Sequence, residues 1–126
     1  MAGQLTIDTL KASTGVLATQ NGMTGIAKAW VNINGASGAS PTIRASFNVS
    51  SVTRSSAGVY VINFTTAMPD ANYSATGSTI GSTAGATFVE SNDTVLSTTS
   101  CTIGVWSAQS STRVDRSCVC FTVSGN

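Results

Sequence analysis

The chain carries five acids, Asp8, Asp70, Glu90, Asp93 and Asp115, and no histidine. Acid-base cleavage of a glycosidic bond would require two such carboxylates to face one another across it. Their local settings predict structural work instead. Asp70 follows Pro69 in a turn, where a carboxylate bonds nearby backbone amides. Glu90 and Asp93 flank Ser91-Asn92, which reads as a second turn, and Asp115 adjoins Arg113 and Arg116 as a surface ion pair. Serines are plentiful, but a nucleophilic serine needs a base, and the chain offers neither histidine nor a Ser-x-x-Lys arrangement. No catalytic residue is assigned.

Cys101, Cys118 and Cys120 are the remaining reactive groups. An odd count in a chain without an export signal favours reduced thiols that pack as small hydrophobes. Cys118 and Cys120 fall two apart in an expected strand, on one face and roughly 7 Å from each other, a poor spacing for a mutual disulfide. A bridge from Cys101 to one of them is the alternative. A zinc centre would need further ligands, so neither a metal nor a cofactor is expected. The glycines between residues 76 and 85 have no following lysine or helix, which rejects a phosphate-binding loop and leaves a mobile connection. Four Asn-x-Ser/Thr triplets, at Asn48, Asn63, Asn72 and Asn92, have no secretory context that would make them glycosylation sites.

Composition limits the setting of these groups. Charged residues make up 9% of the 126 positions, while serine and threonine supply 19 each, so hydroxyls and amides must cover the surface. With 41% apolar residues and a mean hydropathy of +0.20, the chain has enough apolar surface to fold. The six basic residues are scattered without an aromatic stripe, which argues against nucleic-acid binding. A net charge of +1 gives a lone monomer little electrostatic protection against association. The first residues have no secretory pattern and no segment is long and apolar enough to insert in a membrane, so synthesis in a cytoplasm is expected.

The elements that must position these groups are strands. Residues 1–26 are polar and turn-rich and are expected to form an extended arm that pairs with other chains or a larger assembly. From residue 27, Ala27, Ala29, Val31 and Ile33 alternate with Lys28, Trp30, Asn32 and Asn34. Residues 42–49 read as one further strand with Ile43, Ala45, Phe47 and Val49 on one face, and residues 55–58 as a turn into the strand 59–64. A Pro69-Asp70 turn then sends the chain back as a return strand from Asn72. Residues 87–90, 96–106 and 113–123 supply the rest, with Val119, Phe121 and Val123 opposite Cys118, Cys120 and Thr122. About seven short strands and no apolar helical period predict an all-β antiparallel sandwich or barrel-like domain over residues 27–126.

Three segments carry a resemblance. Ala27-Lys-Ala-Trp-Val-Asn-Ile-Asn-Gly35, Ile43-Arg-Ala-Ser-Phe-Asn-Val-Ser-Ser-Val-Thr53 and Val61-Ile-Asn-Phe-Thr-Thr-Ala-Met-Pro-Asp-Ala-Asn-Tyr73 resemble, in order and spacing, a domain of bacteriophage tail fibre proteins. The opening Leu5-Thr-Ile-Asp-Thr-Leu also looks like the start of short fibre chains. The resemblance implies a virion component, an intertwined or side-by-side homotrimer joined to other tail or virion proteins through its N-terminal arm. It implies attachment to a host surface glycan or protein. A structural or decorating protein, such as a head fibre or capsid appendage, is the second reading, and a depolymerase the third. Trp30, Tyr60 and Tyr73 lie inside the shared pattern and are assigned to core packing. Trp106 ends a strand outside it, beside the polar loop 107–112, and with Gln109 and Arg113 is the expected receptor contact.

Overall fold

The computed structural model describes residues 26–80 and 87–125. Apart from Ile26, the arm expected over residues 1–26 lies outside them, as do residues 81–86 of the expected glycine-rich connection. The described chain contains nine strands and no helix: β1 Ala27–Asn34, β2 Thr42–Phe47, β3 Val49–Ser56, β4 Val59–Phe64, β5 Ser74–Ile80, β6 Thr87–Leu96, β7 Ser100–Ser107, β8 Thr112–Arg113 and β9 Cys118–Ser124. One sheet has the order β2-β1-β9-β5. The other runs β3-β4-β7-β6, with the short β8 beside β7. Neighbouring strands are antiparallel throughout, giving the expected all-β architecture of two antiparallel sheets.

The core lies between the sheets and is built by period-two alternation. The first sheet contributes Ala29, Val31 and Ile33 from β1 and Val119, Phe121 and Val123 from β9. The second contributes Tyr60, Ile62 and Phe64 from β4 and Cys101, Ile103 and Val105 from β7. Each large aliphatic side chain removed from water in this way stabilises the fold by roughly 1.5–3 kcal/mol. Gly77 on β5 faces inward opposite Phe121, and a Cβ there would meet the Val89 side chain at 2.6 Å. The two sheets therefore approach closely along their β5-β6 side.

Several boundaries differ from the sequence expectation. Residues 42–49 are not one strand: Asn48, at φ 54°, divides β2 in one sheet from β3 in the other. Its side-chain amide donates to the carbonyls of Lys28 and Thr66, both at 3.0 Å, and its Oδ1 accepts the Thr66 amide at 2.7 Å. Asparagine tolerates this left-handed conformation better than most residues, and here its side chain fastens the corner. After β4 the chain does not return beside it. Met68 and Tyr73, both buried, carry it across the end of the sandwich to β5 in the opposite sheet. Tyr73 meets Phe64 edge to face with ring centroids 6.0 Å apart, and Asp70 accepts the Asn72 amide at 2.7 Å, as its turn position predicted.

Residues 76–80, expected as part of a mobile connection, belong to β5, which pairs with β9 at seven positions. The expected turn at Ser91-Asn92 lies inside β6, where the register against β7 shifts between Ser91 and Leu96. The turn comes later: the Ser97 hydroxyl accepts the Thr99 and Ser100 amides and closes the passage into β7. Lys28 is also misplaced by simple alternation. Register shifts around it between Ala27 and Ala29, and it is buried.

Candidate functional site

Of the expected contact residues, the fold brings Trp106 and Arg113 together. They are cross-strand partners on β7 and β8, on the outer face of the second sheet, and Gln109 is exposed in the adjoining turn. Arg113 is engaged there: its Nη2 lies 2.9 Å and its Nε 3.3 Å from Glu90 Oε1. The pair lies across Gly104, where a Cβ would come within 2.9 Å of Glu90 Oε1. Gly104 thus makes room for an ion pair that flattens this face beside a half-buried Trp106.

Asp115 does not pair with Arg113 or Arg116, as expected from the sequence. It forms a bidentate pair with Arg54, with contacts of 2.8–3.0 Å, and also accepts the Gly58 amide and the Tyr60 hydroxyl at 2.8 Å each. The Arg54 guanidinium, with the Gly58 and Tyr60 donors, holds its pKa at about 2 against the cost of burial. An acid so held is ionised at neutral pH and has no proton to give. The Tyr60 hydroxyl also lies 3.1 Å from the Gly35 carbonyl, and burial followed by the Asp115 carboxylate pushes its pKa above the usual tyrosine range. The cluster clasps the β3-β4 hairpin, the turn after β1 and the approach to β9. Its chemistry is that of a structural tie.

The three cysteines are free thiols. Cys101 points into the core from β7, and burial raises its pKa to about 11. Cys118 and Cys120 point outward from β9 in the other sheet, so the alternative bridge from Cys101 is not formed. Their sulfurs are 4.0 Å apart, closer than the spacing along an ideal strand predicts and twice a disulfide bond length. Burial raises the Cys120 pKa, and the nearby Arg44 acts in the opposite direction.

A second face was not anticipated. Trp30, Phe47 and Ile80 are the exposed large hydrophobics among the described residues, at 39%, 36% and 68% exposure. Register places all three on the outer side of the first sheet. Phe47, Trp30, Thr122 and Thr76 form one row across β2, β1, β9 and β5, and Ala45, Asn32, Cys120 and Ser78 form the next. Trp30 is therefore outward, contrary to its expected core role, whereas Tyr60 and Tyr73 are buried as expected. Arg44 lies at a β-bulge opposite Asn32 and Ile33. Its guanidinium donates to Asn32 Oδ1 at 3.2 Å, the Ile33 carbonyl at 3.0 Å and the Ser117 carbonyl at 2.6 Å.

No family model, curated protein or solved structure matches the chain. The described residues enclose no pocket and hold no cluster of three or more metal-ligating side chains. Among them no helix is long and apolar enough to cross a membrane. Chemistry at this surface is the chemistry of open faces. The alternation of β1 already sets Trp30 on the polar face with Lys28, Asn32 and Asn34, but that of residues 42–49 sets Phe47 with Ile43 and Val49, so the outward pair emerges only with the break at Asn48.

Proposed function

We propose that the chain is a virion component of the tail-fibre type, assembled as a homotrimer, whose β-sandwich attaches the particle to the host cell surface. The observation that carries this reading is the role of residues 27–73, where the sequence resemblance lies: they supply β1 to β4, the Asn48 corner and the crossing segment that ends at Tyr73. A recurrent module is expected to keep such a frame while its other surfaces vary. Both sheets have edge strands, β2 and β5 in one and β3 and β6 in the other, and threefold packing is one way to cover open edges. Weak contacts repeated over three copies would give useful avidity on a repetitive surface. The N-terminal arm, residues 1–26, would join the trimer to other tail or virion proteins.

Adsorption of the purified full-length protein to host cells tests the reading, alongside its mass in native buffer and its position on the particle by immunogold labelling. Attachment requires saturable binding and competition with virions. Binding no greater than that of an unrelated protein, together with a capsid location, would replace this proposal with that of a structural appendage.

A further inference from the structure

The outer face of the β2-β1-β9-β5 sheet points to a specific ligand class: we infer that Trp30, Phe47 and Arg44 form a binding platform for an acidic polysaccharide bearing uronic-acid carboxylates. This rests on the attachment reading and gives it a site and a substrate. Trp30 and Phe47 are direct cross-strand partners, so two exposed aromatic side chains stand next to each other on an open sheet. Such a surface suits the C–H face of a pyranose ring, with Asn32, Thr122 and Thr76 supplying amide and hydroxyl groups beside it.

Charge decides what kind of sugar. Two described arginines, Arg54 and Arg113, are neutralised by Asp115 and Glu90. Arg44 bonds only neutral acceptors, the Asn32 amide and the carbonyls of Ile33 and Ser117. Those bonds fix the guanidinium in place without compensating its charge, and a guanidinium so placed pairs well with a carboxylate. Asn32, which holds Arg44, lies two residues from Trp30 on β1, roughly 7 Å along the strand. Adjacent units of one glycan chain can therefore meet both. No described acid lies on this sheet face: Asp70 is in the crossing segment, Glu90 and Asp93 belong to β6 of the other sheet, and Asp115 is bound to Arg54.

The same charge argues against covering this face with the identical face of a second copy. Two such faces would bury Arg44 from each side with no carboxylate between them, a costly arrangement. A nucleic acid would require several phosphate-neutralising cations, and of the described arginines it is Arg44 that bonds across this face.

Electrophoresis of the full-length protein through native gels containing alginate or dextran tests the inference. Alginate, a polyuronate, should retard the protein, and neutral dextran should do so far less. Trp30→Thr and Arg44→Gln should each weaken the interaction by about tenfold, while Val61→Thr on the opposite sheet should leave it unchanged. Unaltered circular dichroism in each variant separates lost binding from lost folding, and Phe47→Ser provides a further variant at an exposed edge position.

Equal mobility in alginate and buffer gels overturns the inference. So does retardation abolished by Trp106→Ala but not by Trp30→Thr, or self-association that Trp30→Thr dissolves while alginate has no effect. Host-cell adsorption distinguishes the two levels. Adsorption without alginate binding removes the platform and keeps attachment; alginate binding without adsorption keeps the platform and removes attachment.

Discussion

The Tyr60 hydroxyl lies 2.8 Å from the Asp115 carboxylate across a separation of 55 residues. Arg54 and Gly58 bond the same carboxylate, so one acid joins a hairpin, a turn and the approach to the final strand. Asp115→Asn should therefore destabilise the protein by about 1–2 kcal/mol, because the amide loses the charge that strengthens the bonds from Gly58 and Tyr60. The denaturant midpoint of the full chain measures this directly.

The same acid sets a pH dependence. Its folded pKa, about 2, lies below that of an unfolded aspartate. The stabilisation is complete above the unfolded value and is lost as pH falls through the folded one, between about pH 4 and pH 2. With allowance for solvent screening of a partly exposed pair, the loss should be about 1–2 kcal/mol. Urea titrations across this window should show it in the wild type and not in Asp115→Asn.

Gly35→Ala should disturb the cluster from another side. An added Cβ would collide with the Tyr60 hydroxyl and come within 3.0 Å of the Arg116 carbonyl. Tyr60 has no room to retreat, being fully buried. A destabilisation of about 1–3 kcal/mol is expected, and removing the obstructing oxygen with Tyr60→Phe should recover part of it in the double variant.

Thiol reactivity should separate the cysteines by sheet face. Cys101 is buried with its pKa raised to about 11, whereas Cys118 and Cys120 are partly exposed. Alkylation of the native protein, followed by mass measurement of its peptides, should modify the latter pair first. Labelling of Cys101 should appear only with denaturant.

Glu90 and Arg113 provide a contrast. Their pair is about one third exposed on each side, so Arg113→Gln should lower stability by less than about 1 kcal/mol. A larger loss in the same denaturant assay would mean that Arg113 supports the fold through more than this pair.

The alternation of β1 and β9 is readable in the sequence because each largely buries one face and half-buries or exposes the other, whereas β4 is readable from its run of β-branched and aromatic residues. β5 was hidden because Ser74, Thr76 and Ser78 face outward while Ala75, Gly77 and Thr79 take the inward positions, and close sheet packing favours small residues there. β2 departs from the expected alternation because it lies at an edge with most of its residues exposed. Trp106 and Arg113 were recognisable as neighbours of one loop, but the Glu90 partner was not, since β6 brings it from another part of the chain. Arg44 had no local signal: its meaning comes from Ser117, which is distant in sequence and adjacent in the sheet.

The position of β9 also governs the order in which the molecule can be made. It lies between β1 and β5, so Trp30 must wait for Thr122, its neighbour across the sheet. A ribosome delivers β1 early and β9 last of the nine strands, and until then the inner edge of the first strand has no partner. The first sheet can close only once β9 has been made, and long-range pairing of this kind folds slowly. β1 interrupts its apolar residues with Lys28, Asn32 and Asn34, which limits how readily the open strand adheres to its neighbours.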